Sequence, residues 1–175
     1  MDGAAPATRD LGTVEDRFFT IRDFRLTHGE VMPEATIAYE TYGTLAPDGR
    51  NAVLVTHGFT GSHRAAGRNP ANGGQPGSWD GLIGPGKAID TDKLFVVSSN
   101  MLGSSFGSTN ASSTNPATGK PYGSSFPNLT IRDIVAAQKA LIEWLGVSHL
   151  VAVAGPSYGG YQAYQWATAY PDHMD

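Results

Sequence analysis

The sequence predicts an α/β domain with a mostly parallel sheet that begins with a pair of antiparallel strands. Two segments near the N-terminus roughly alternate apolar and polar residues, three later runs are almost continuously apolar, and a helical stripe separates the last two runs. Alternation is typical of strands with one buried face, whereas continuous apolar runs are typical of parallel strands covered on both faces. Buried strands that alternate with an amphipathic helix indicate βαβ units.

The antiparallel pair is predicted at residues 17–25 (RFFTIRDFR) and 34–43 (EATIAYETYG). Both segments contain β-branched and aromatic residues, and the turn sequence THGEVMP separates them. Residues 1–16, which precede the pair, are predicted to be a flexible N-terminal segment.

Three parallel strands are predicted at AVLVTH (52–57), LFVVSSN (94–100) and HLVAVAG (149–155). Two long segments, 58–79 and 101–128, follow the first and second of these strands and have no pattern of regular structure. Loops of this length in a compact domain are usually functional or disordered, and open α/β sheets bind ligands at the carboxyl ends of their strands. The position of both loops therefore favours a functional site, with surface loops of no special role as the alternative.

One amphipathic helix is predicted within TIRDIVAAQKALIEWLG, before the third strand. Thr130 and Asp133 have the spacing of a capping box, and Gly146 is a natural stop for the helix. Its apolar residues fall on one stripe, made of Ile131, Ile134, Val135, Ala137, Leu141, Ile142 and Leu145.

Composition excludes several classes of function. The 175 residues are 40% apolar and 16% charged, which is typical of a globular domain, and the net charge of −4 without basic runs gives nucleic acid no electrostatic footprint. Apolar runs are only strand-sized, and the acidic N-terminus has no signal-peptide pattern, so we expect a cytoplasmic protein without a membrane partner. The absence of cysteine excludes disulfides, thiolate metal sites and a cysteine nucleophile, and no metal-ligand cluster is apparent.

The strongest motif is Gly155-Pro156-Ser157-Tyr158-Gly159, which fits the pattern G-x-S-x-G between a buried strand and a helix. In that context the pattern predicts a nucleophile elbow, because small residues are needed where a sharp turn presents a strained serine. Ser157 is the predicted nucleophile, and the backbone N–H of Tyr158 is one predicted oxyanion donor. The turn His57-Gly58-Phe59-Thr60-Gly61 follows the first parallel strand, and Phe59 is its predicted donor.

These motifs, together with GPGKAIDTDK, NPATGKPYG and the TIRD helix start, resemble the homoserine O-acetyltransferase family of the α/β-hydrolase superfamily. The resemblance runs from about Phe18 to the C-terminus. It implies the α/β-hydrolase fold, with residues 17–175 as its N-terminal half, and a place in methionine and other amino-acid biosynthesis. It also implies ping-pong acyl transfer, in which the elbow serine takes an acetyl group from acetyl-CoA and the homoserine hydroxyl removes it. No bound cofactor is expected.

Carried over from the family, Ser157 is the nucleophile, Phe59 and Tyr158 give the oxyanion N–H groups, and Thr60 occupies the position of a family threonine. Tyr161 is close enough to the serine to line a substrate pocket. Family members typically read H-A-L-T-G and G-G-S-M-G-G-M, so three aromatic residues here replace aliphatic or thioether side chains. The acyl pocket or acceptor can therefore differ, and two alternatives are an esterase that uses water and a non-catalytic module of the same fold.

The sequence contains no convincing partner for the serine. In this fold the acid and the histidine follow the nucleophile on later loops, yet Asp172, His173 and Asp175 come at the far end of the elbow helix, roughly 20 Å away. The upstream histidines at 28, 57, 63 and 149 do not fit a base either. We expect the remainder of the same domain, or a second polypeptide, to supply the acid, the histidine, the later strands and a lid. The other expected partners are small-molecule substrates and a second copy in a homodimer.

A rival motif is Gly81-Leu-Ile-Gly-Pro-Gly86-Lys87-Ala88, which is close to a phosphate-binding P-loop. The P-loop needs a serine or threonine after the lysine to bind Mg²⁺, and it follows a buried strand. Ala88 and the polar sequence QPGSWD before the motif meet neither requirement. A nucleotide site is therefore not predicted here.

Overall fold

The computed structural model describes residues 9–175 as a mixed five-stranded sheet flanked by helices and long loops. The sheet order is β1-β2-β6-β3-β9, with antiparallel pairing of β1, β2 and β6 and parallel pairing of β6, β3 and β9. In chain order the strands are β1 Arg17–Arg25, β2 Val31–Tyr42, β3 Ala52–Val55, β4 Ile83–Gly84, β5 Ile89–Asp90, β6 Phe95–Ser99, β7 Thr114–Asn115, β8 Lys120–Pro121 and β9 Leu150–Ala154. The predicted antiparallel pair and all three parallel strands are confirmed.

The centre of the sheet is buried on both faces, as the continuous apolar runs predict. In β3, Ala52 and Leu54 face the core that contains the first helix, whereas Val53 and Val55 face a second core on the other side. All four side chains are buried. The alternation follows from the two-residue period of a strand, and it requires apolar residues at every position.

The helix α1 spans Ile131–Trp144 and has the predicted caps. The Thr130 hydroxyl accepts a hydrogen bond from the backbone N–H of Asp133, and the Asp133 carboxylate accepts one from the N–H of Thr130. After the helix, Gly146 has a left-handed φ of 83°, a conformation that glycine adopts without strain. Six of the seven residues of the predicted apolar stripe pack in the core that includes the sheet, and the seventh, Ile134, is buried outside that core.

The elbow strand β9 lies at one edge of the sheet, and the helix α2, Tyr158–Ala169, packs beside α1. Within residues 9–175, β9 pairs with β3 alone among the strands, and its outer side carries a single bridge between Leu150 and Met174. The resemblance to the α/β-hydrolase superfamily implies that the expected later strands would pair with the outer edge of β9. In the described part of the chain it is an edge strand, because no further strand extends the sheet there.

Part of the predicted N-terminal segment is docked on the domain. Residues 1–8 lie outside the described residues, but residues 9–16 pack against the second core through Leu11 and Val14. The N–H of Val14 donates to the carbonyl of Arg68 at 3.0 Å, and the N–H of Arg68 donates to the carbonyl of Gly12 at 2.9 Å. This packing differs from the predicted flexible segment because two apolar side chains and backbone pairing attach the segment to the loop after β3.

The two long loops follow the carboxyl ends of β3 and β6, as predicted, and contain only short 3-10 turns and two-residue strands. The loop after β3 is largely buried near its middle, where His63, Ala65, Ala66 and Asn69 are covered. In the described part of the chain, none of the helices has both the length and the apolar character that a membrane span requires.

Candidate active site

Ser157 lies at the sharp turn between β9 and α2 in a strained backbone conformation. Its φ of 53° and ψ of −121° are values that non-glycine residues rarely adopt, and the residue is exposed. A Cβ added at Gly155 would lie 2.1 Å from the Thr56 Oγ1, and one added at Gly159 would lie 3.0 Å from the same atom. Both glycines of the motif are therefore needed because the turn is packed directly against the end of β3.

The predicted oxyanion turn, residues 57–61, lies beside the serine. The N–H of Gly61 donates to the carbonyl of Gly58 at 2.9 Å, and a Cβ added at Gly58 would lie 3.6 Å from the Ser157 Cβ. At the tip of the turn Phe59 is 79% exposed, and its ring meets the Tyr158 ring edge-on at 6.3 Å between centroids. The structure thus brings together the predicted nucleophile and both residues predicted to stabilise the oxyanion.

Two backbone N–H groups remain available at this point. Within residues 9–175, neither the N–H of Phe59 nor that of Tyr158 has a protein acceptor. Tyr158 is the first residue of α2, where backbone N–H groups lack partners within the helix and the helix dipole favours negative charge. The arrangement can stabilise an oxyanion formed at the serine.

The other predicted site residues, Thr60 and Tyr161, lie at the edges of this centre. Thr60 is exposed in the turn next to Phe59, and the Tyr161 ring lies 6.1 Å from the Tyr158 ring and is 62% exposed. Their predicted roles in substrate binding stay predictions.

A cleft of about 670 Å³ opens beside the oxyanion turn. Phe59, Thr60 and Tyr158 form one wall, and the loops after β6 form the other. Most of its lining is apolar, with contributions from Met101, Leu102, Phe126 and Leu129. An apolar cleft that adjoins a nucleophile is the usual form of a small-molecule site.

His57 is unsuited to act as a base because both ring nitrogens are occupied. Nδ1 donates to the carbonyl of Gly58 at 2.8 Å, and Nε2 accepts the backbone N–H of Met101 at 3.0 Å. Burial lowers the pKa of His57, which agrees with this neutral tautomer. The ring instead joins the oxyanion turn to the loop after β6.

The remaining acids and histidines are also outside hydrogen-bond reach of the serine. His149 pairs with Asp175 at 2.8 Å beside Leu150, at the end of β9 away from Ser157. Asp172 and His173 lie in the 3-10 turn Pro171–His173 that follows α2. Among residues 9–175, the Ser157 hydroxyl therefore has no hydrogen-bonded histidine.

A buried ionic network lies under the loop after β3, and sequence reasoning did not identify it. Asp16 Oδ1 accepts from His63 Nε2 at 2.9 Å, from Arg64 Nε at 3.1 Å and from Asn69 Nδ2 at 2.7 Å. Asp16 Oδ2 accepts from the Arg64 terminal nitrogen at 2.6 Å. Asn69 Nδ2 also donates to the fully buried Glu40 at 2.5 Å. We call Asp16, His63, Arg64, Asn69 and Glu40 the ionic network.

Burial and the charges of the ionic network together shift the pKa values of its members in different directions. Burial raises the pKa of Asp16, but the hydrogen bonds and charges of Arg64 and His63 outweigh it and hold this pKa at about 2. Burial lowers the pKa of His63 against the opposing effect of Asp16. Burial raises the pKa of Glu40, although Tyr42 and Asn69 both donate to it.

The ionic network also contains the best candidate metal ligands. Oxygens of Asp16 and Glu40 and a nitrogen of His63 lie within 4.8 Å of one another. The carboxylates already accept hydrogen bonds from Arg64 and Asn69, and the His63 nitrogen already donates to Asp16, so these groups are bonded to one another. These residues therefore fit an ion-pair network and do not fit a metal site.

A second, neutral network supports the elbow helix from within the core. Trp166 Nε1 donates to Gln138 Oε1 at 2.9 Å, and Gln138 Nε2 donates to Gln162 Oε1 at 2.6 Å. Gln162 Nε2 lies 3.3 Å from the carbonyl of His57 and donates to it. We call Gln138, Gln162 and Trp166 the neutral network; it links α1 to α2 and α2 to the start of the oxyanion turn.

The glycine-rich segment at 81–88 has a structural role. Lys87 Nζ donates to the backbone carbonyl of Asp80, and it lies 3.6 Å from the carboxylate of the same residue. The lysine is thus engaged by Asp80 within the same segment of the chain.

Comparison with known proteins supports the same assignment of the fold. The homoserine O-acetyltransferase of Pelobacter propionicus is 52% identical over 163 residues, which are 93% of this chain and 44% of that protein. The crystal structure of homoserine O-acetyltransferase from Bacillus anthracis has 38% identity and a TM-score of 0.87, with 93% of this chain and 45% of that chain covered. The crystal structure of esterase E22 has 46% identity and a TM-score of 0.86, with 92% and 45% covered.

No protein-family model matches the chain. The chain spans less than half the length of the curated relatives it matches. The resemblance found in the sequence motifs is nevertheless confirmed over more than nine-tenths of this chain. With the sheet order and the elbow turn, these similarities show that the chain has the α/β-hydrolase fold and is related to proteins named as homoserine O-acetyltransferases and esterases.

Proposed function

We propose that the protein is an O-acyltransferase that works through an acyl-enzyme on Ser157. The observation that carries this proposal is the strained, exposed serine beside the free N–H groups of Phe59 and Tyr158. A serine in this setting is presented to a substrate carbonyl, and the developing oxyanion is met by oriented donors. The relatives named homoserine O-acetyltransferase support acetyl transfer to a homoserine-like hydroxyl, and we propose acetyl-CoA as the donor.

In the proposed reaction the Ser157 Oγ attacks the thioester carbonyl, and the CoA thiol leaves as the acyl-enzyme forms. The acceptor hydroxyl then attacks the same carbonyl and releases the serine. The proton from Ser157 needs a base, and we expect a histidine oriented by an acid, supplied by the remainder of the domain or by a second polypeptide. The substrates are small molecules, no bound cofactor takes part, and we expect the reaction to occur in the cytoplasm.

Ester hydrolysis is the second candidate, because esterase E22 is as similar in structure as the acyltransferase from Bacillus anthracis. The two reactions share the acyl-enzyme and differ only in whether water or a hydroxyl substrate attacks it. Near Ser157 the rings of Phe59, Tyr158 and Tyr161 contact one another edge-on, where the family typically has aliphatic or thioether side chains. This difference in side chains is a further reason to test water as the acceptor.

Covalent labelling with a fluorophosphonate tests the shared part of both candidates in the full-length protein. We expect labelling of Ser157 in the native protein and none in Ser157→Ala, because only an activated serine reacts. An unlabelled native protein would favour the non-catalytic alternative. Thiol release from acetyl-CoA then separates the candidates: an increase on addition of homoserine supports transfer, whereas unchanged release favours hydrolysis or another acceptor.

A further inference from the structure

The tip of the oxyanion turn is exposed and is held mainly by the residues on either side of it. Phe59 and Thr60 are exposed, and the short turn is closed by the backbone hydrogen bond from the N–H of Gly61 to the carbonyl of Gly58. A donor that stabilises an oxyanion must be fixed before the charge develops. The contacts that fix Phe59 must therefore act through the two ends of the turn.

The upstream end is anchored by β3 and by the His57 ring, which accepts the N–H of Met101 at 3.0 Å. At the downstream end, the chain enters the interior directly after Ser62. His63 is fully buried, and the N–H groups of Ala65 and Ala66 each donate to the Tyr42 hydroxyl at 3.0 Å. The downstream end thus depends on polar groups inside the domain.

Asp16 is the central acceptor for this downstream end. Its carboxylate binds His63, Arg64 and Asn69, all of which lie in the loop after β3, and its side chain is only 17% exposed. Asp16 itself comes from the N-terminal segment, more than forty residues earlier in the chain. One carboxylate therefore gathers three side chains of the loop that carries the oxyanion turn.

Arg64 extends the ionic network to the substrate cleft. Its guanidinium carbon lies 5.7 Å from the centroid of the Phe106 ring, and Phe106 lines the cleft beside Phe59. This contact is of the cation–π type. Arg64 therefore contacts both Asp16 and a side chain that lines the cleft. The planar guanidinium can hold both contacts only in a fixed orientation, which Asp16 sets through two hydrogen bonds.

From these contacts we infer that Asp16 is a positioning residue of the acyl-transfer site: by binding His63 and Arg64 it fixes the oxyanion turn and places the Phe59 N–H beside Ser157. This inference rests on the proposed function. Asp16 does not touch the reacting atoms and acts only through the loop.

The test compares Asp16→Asn with Asp92→Asn in the full-length protein. Asp92 pairs with Arg9 at 2.6 Å and so also contacts the N-terminal segment, but this pair is exposed and does not contact the oxyanion turn. The measurements are kcat and KM for p-nitrophenyl acetate and the Ki of a methyl trifluoromethyl ketone, whose adduct with serine carries an oxyanion. Active-site titration and a thermal melt report the folded fraction.

For Asp16→Asn we expect kcat to fall about tenfold and the Ki of the ketone to rise about tenfold, with KM within about twofold of the native value, since a small displacement at the reacting centre has effects of this order. Asp92→Asn is expected to match the native protein in all three. Loss of folded protein alone would lower the titrated site concentration and leave kcat per site and Ki unchanged.

A folded Asp16→Asn with native kcat per site and native Ki would overturn the inference. A native protein that no fluorophosphonate labels would instead overturn the proposed function. If Asp16→Asn does not fold, Arg64→Lys decides by the same criteria, because lysine keeps the charge but loses the planar fork that binds Asp16 and Phe106 together.

Discussion

The two arms of the candidate site are supported by different kinds of interaction. The elbow arm, β9 and α2, is held by close steric packing against Thr56 and by the neutral network. The oxyanion arm, residues 57–64, is held by the ionic network. The interactions that hold the elbow arm are uncharged and do not change with pH. Those that hold the oxyanion arm depend on the charge of a carboxylate.

The difference also has a structural origin. The elbow arm consists of two regular elements joined by a short turn, so its polar groups need only a few uncharged partners in the core. The oxyanion arm opens a long irregular loop whose backbone and side-chain groups are partly buried, and such groups require hydrogen-bond partners. Charged side chains supply several strong hydrogen bonds each, and Asp16 alone accepts four.

The steric part of the elbow arm gives the largest expected effect. Gly155→Ala would place a Cβ 2.1 Å from the Thr56 Oγ1 and 2.8 Å from the Thr56 carbonyl oxygen, so strand or turn must move. We expect the free energy of unfolding to fall by about 3 kcal/mol, measured by urea denaturation.

Gly160→Ala is the matched control, since it adds the same methyl group nearby, in the first turn of α2. The nearest atom to its added Cβ is the Gly155 carbonyl oxygen at 3.5 Å, which is an ordinary contact. Alanine also has a higher helix propensity than glycine, so this variant is expected to be at least as stable as the native protein. Equal destabilisation by both substitutions would contradict the steric account of the elbow.

The neutral network gives the next largest effect. Gln162→Leu removes the acceptor of the Gln138 amide and the donor to the His57 carbonyl, and leaves both groups buried without these partners. We expect a loss of about 2 kcal/mol in the free energy of unfolding. Gln165→Leu, on the same helix but partly exposed, should change stability little; a similar loss there would show that the helix tolerates no leucine.

Sequence reasoning predicted the elbow arm well because its signals are local. A buried strand, a G-x-S-x-G turn and the helix after it are contiguous, and the glycines are explained by one steric requirement. The same holds for α1, where Thr130, Asp133 and Gly146 lie within the element that they cap.

The ionic network could not be predicted in the same way. Asp16, Glu40 and His63 lie in three separate segments, and no spacing along the chain indicates that they meet. Asp16 also falls in the segment that the sequence predicts to be flexible. Pairing of distant charged residues follows from the tertiary path of the loop after β3, which has no periodic pattern from which that path can be derived.

The two arms should also differ in how their contributions to stability depend on pH, and this is the smallest of the expected effects. The pKa of Asp16 is about 2 in the folded protein against an ordinary value of 3.8. Its contribution to stability is therefore present above pH 3.8 and is lost as the pH falls towards 2. The groups that face Asp16 are His63, Arg64 and Glu40. The pKa of His63 is lowered in the folded protein, so its contribution to stability also falls as the pH falls. The pKa of Glu40 is raised, so its contribution changes with pH in the opposite direction.

Thermal melts between neutral pH and pH 2 should therefore distinguish two variants. The difference in melting temperature between the native protein and Asp16→Asn is expected to be greatest at neutral pH and to shrink on acidification, because protonation removes from the native protein the charge that the variant already lacks. The corresponding difference for Gln162→Leu should stay nearly constant, since no titratable group belongs to the neutral network. A parallel decline in both would mean that the arms are coupled, and the distinction between a neutral and an ionic support would then have to be abandoned.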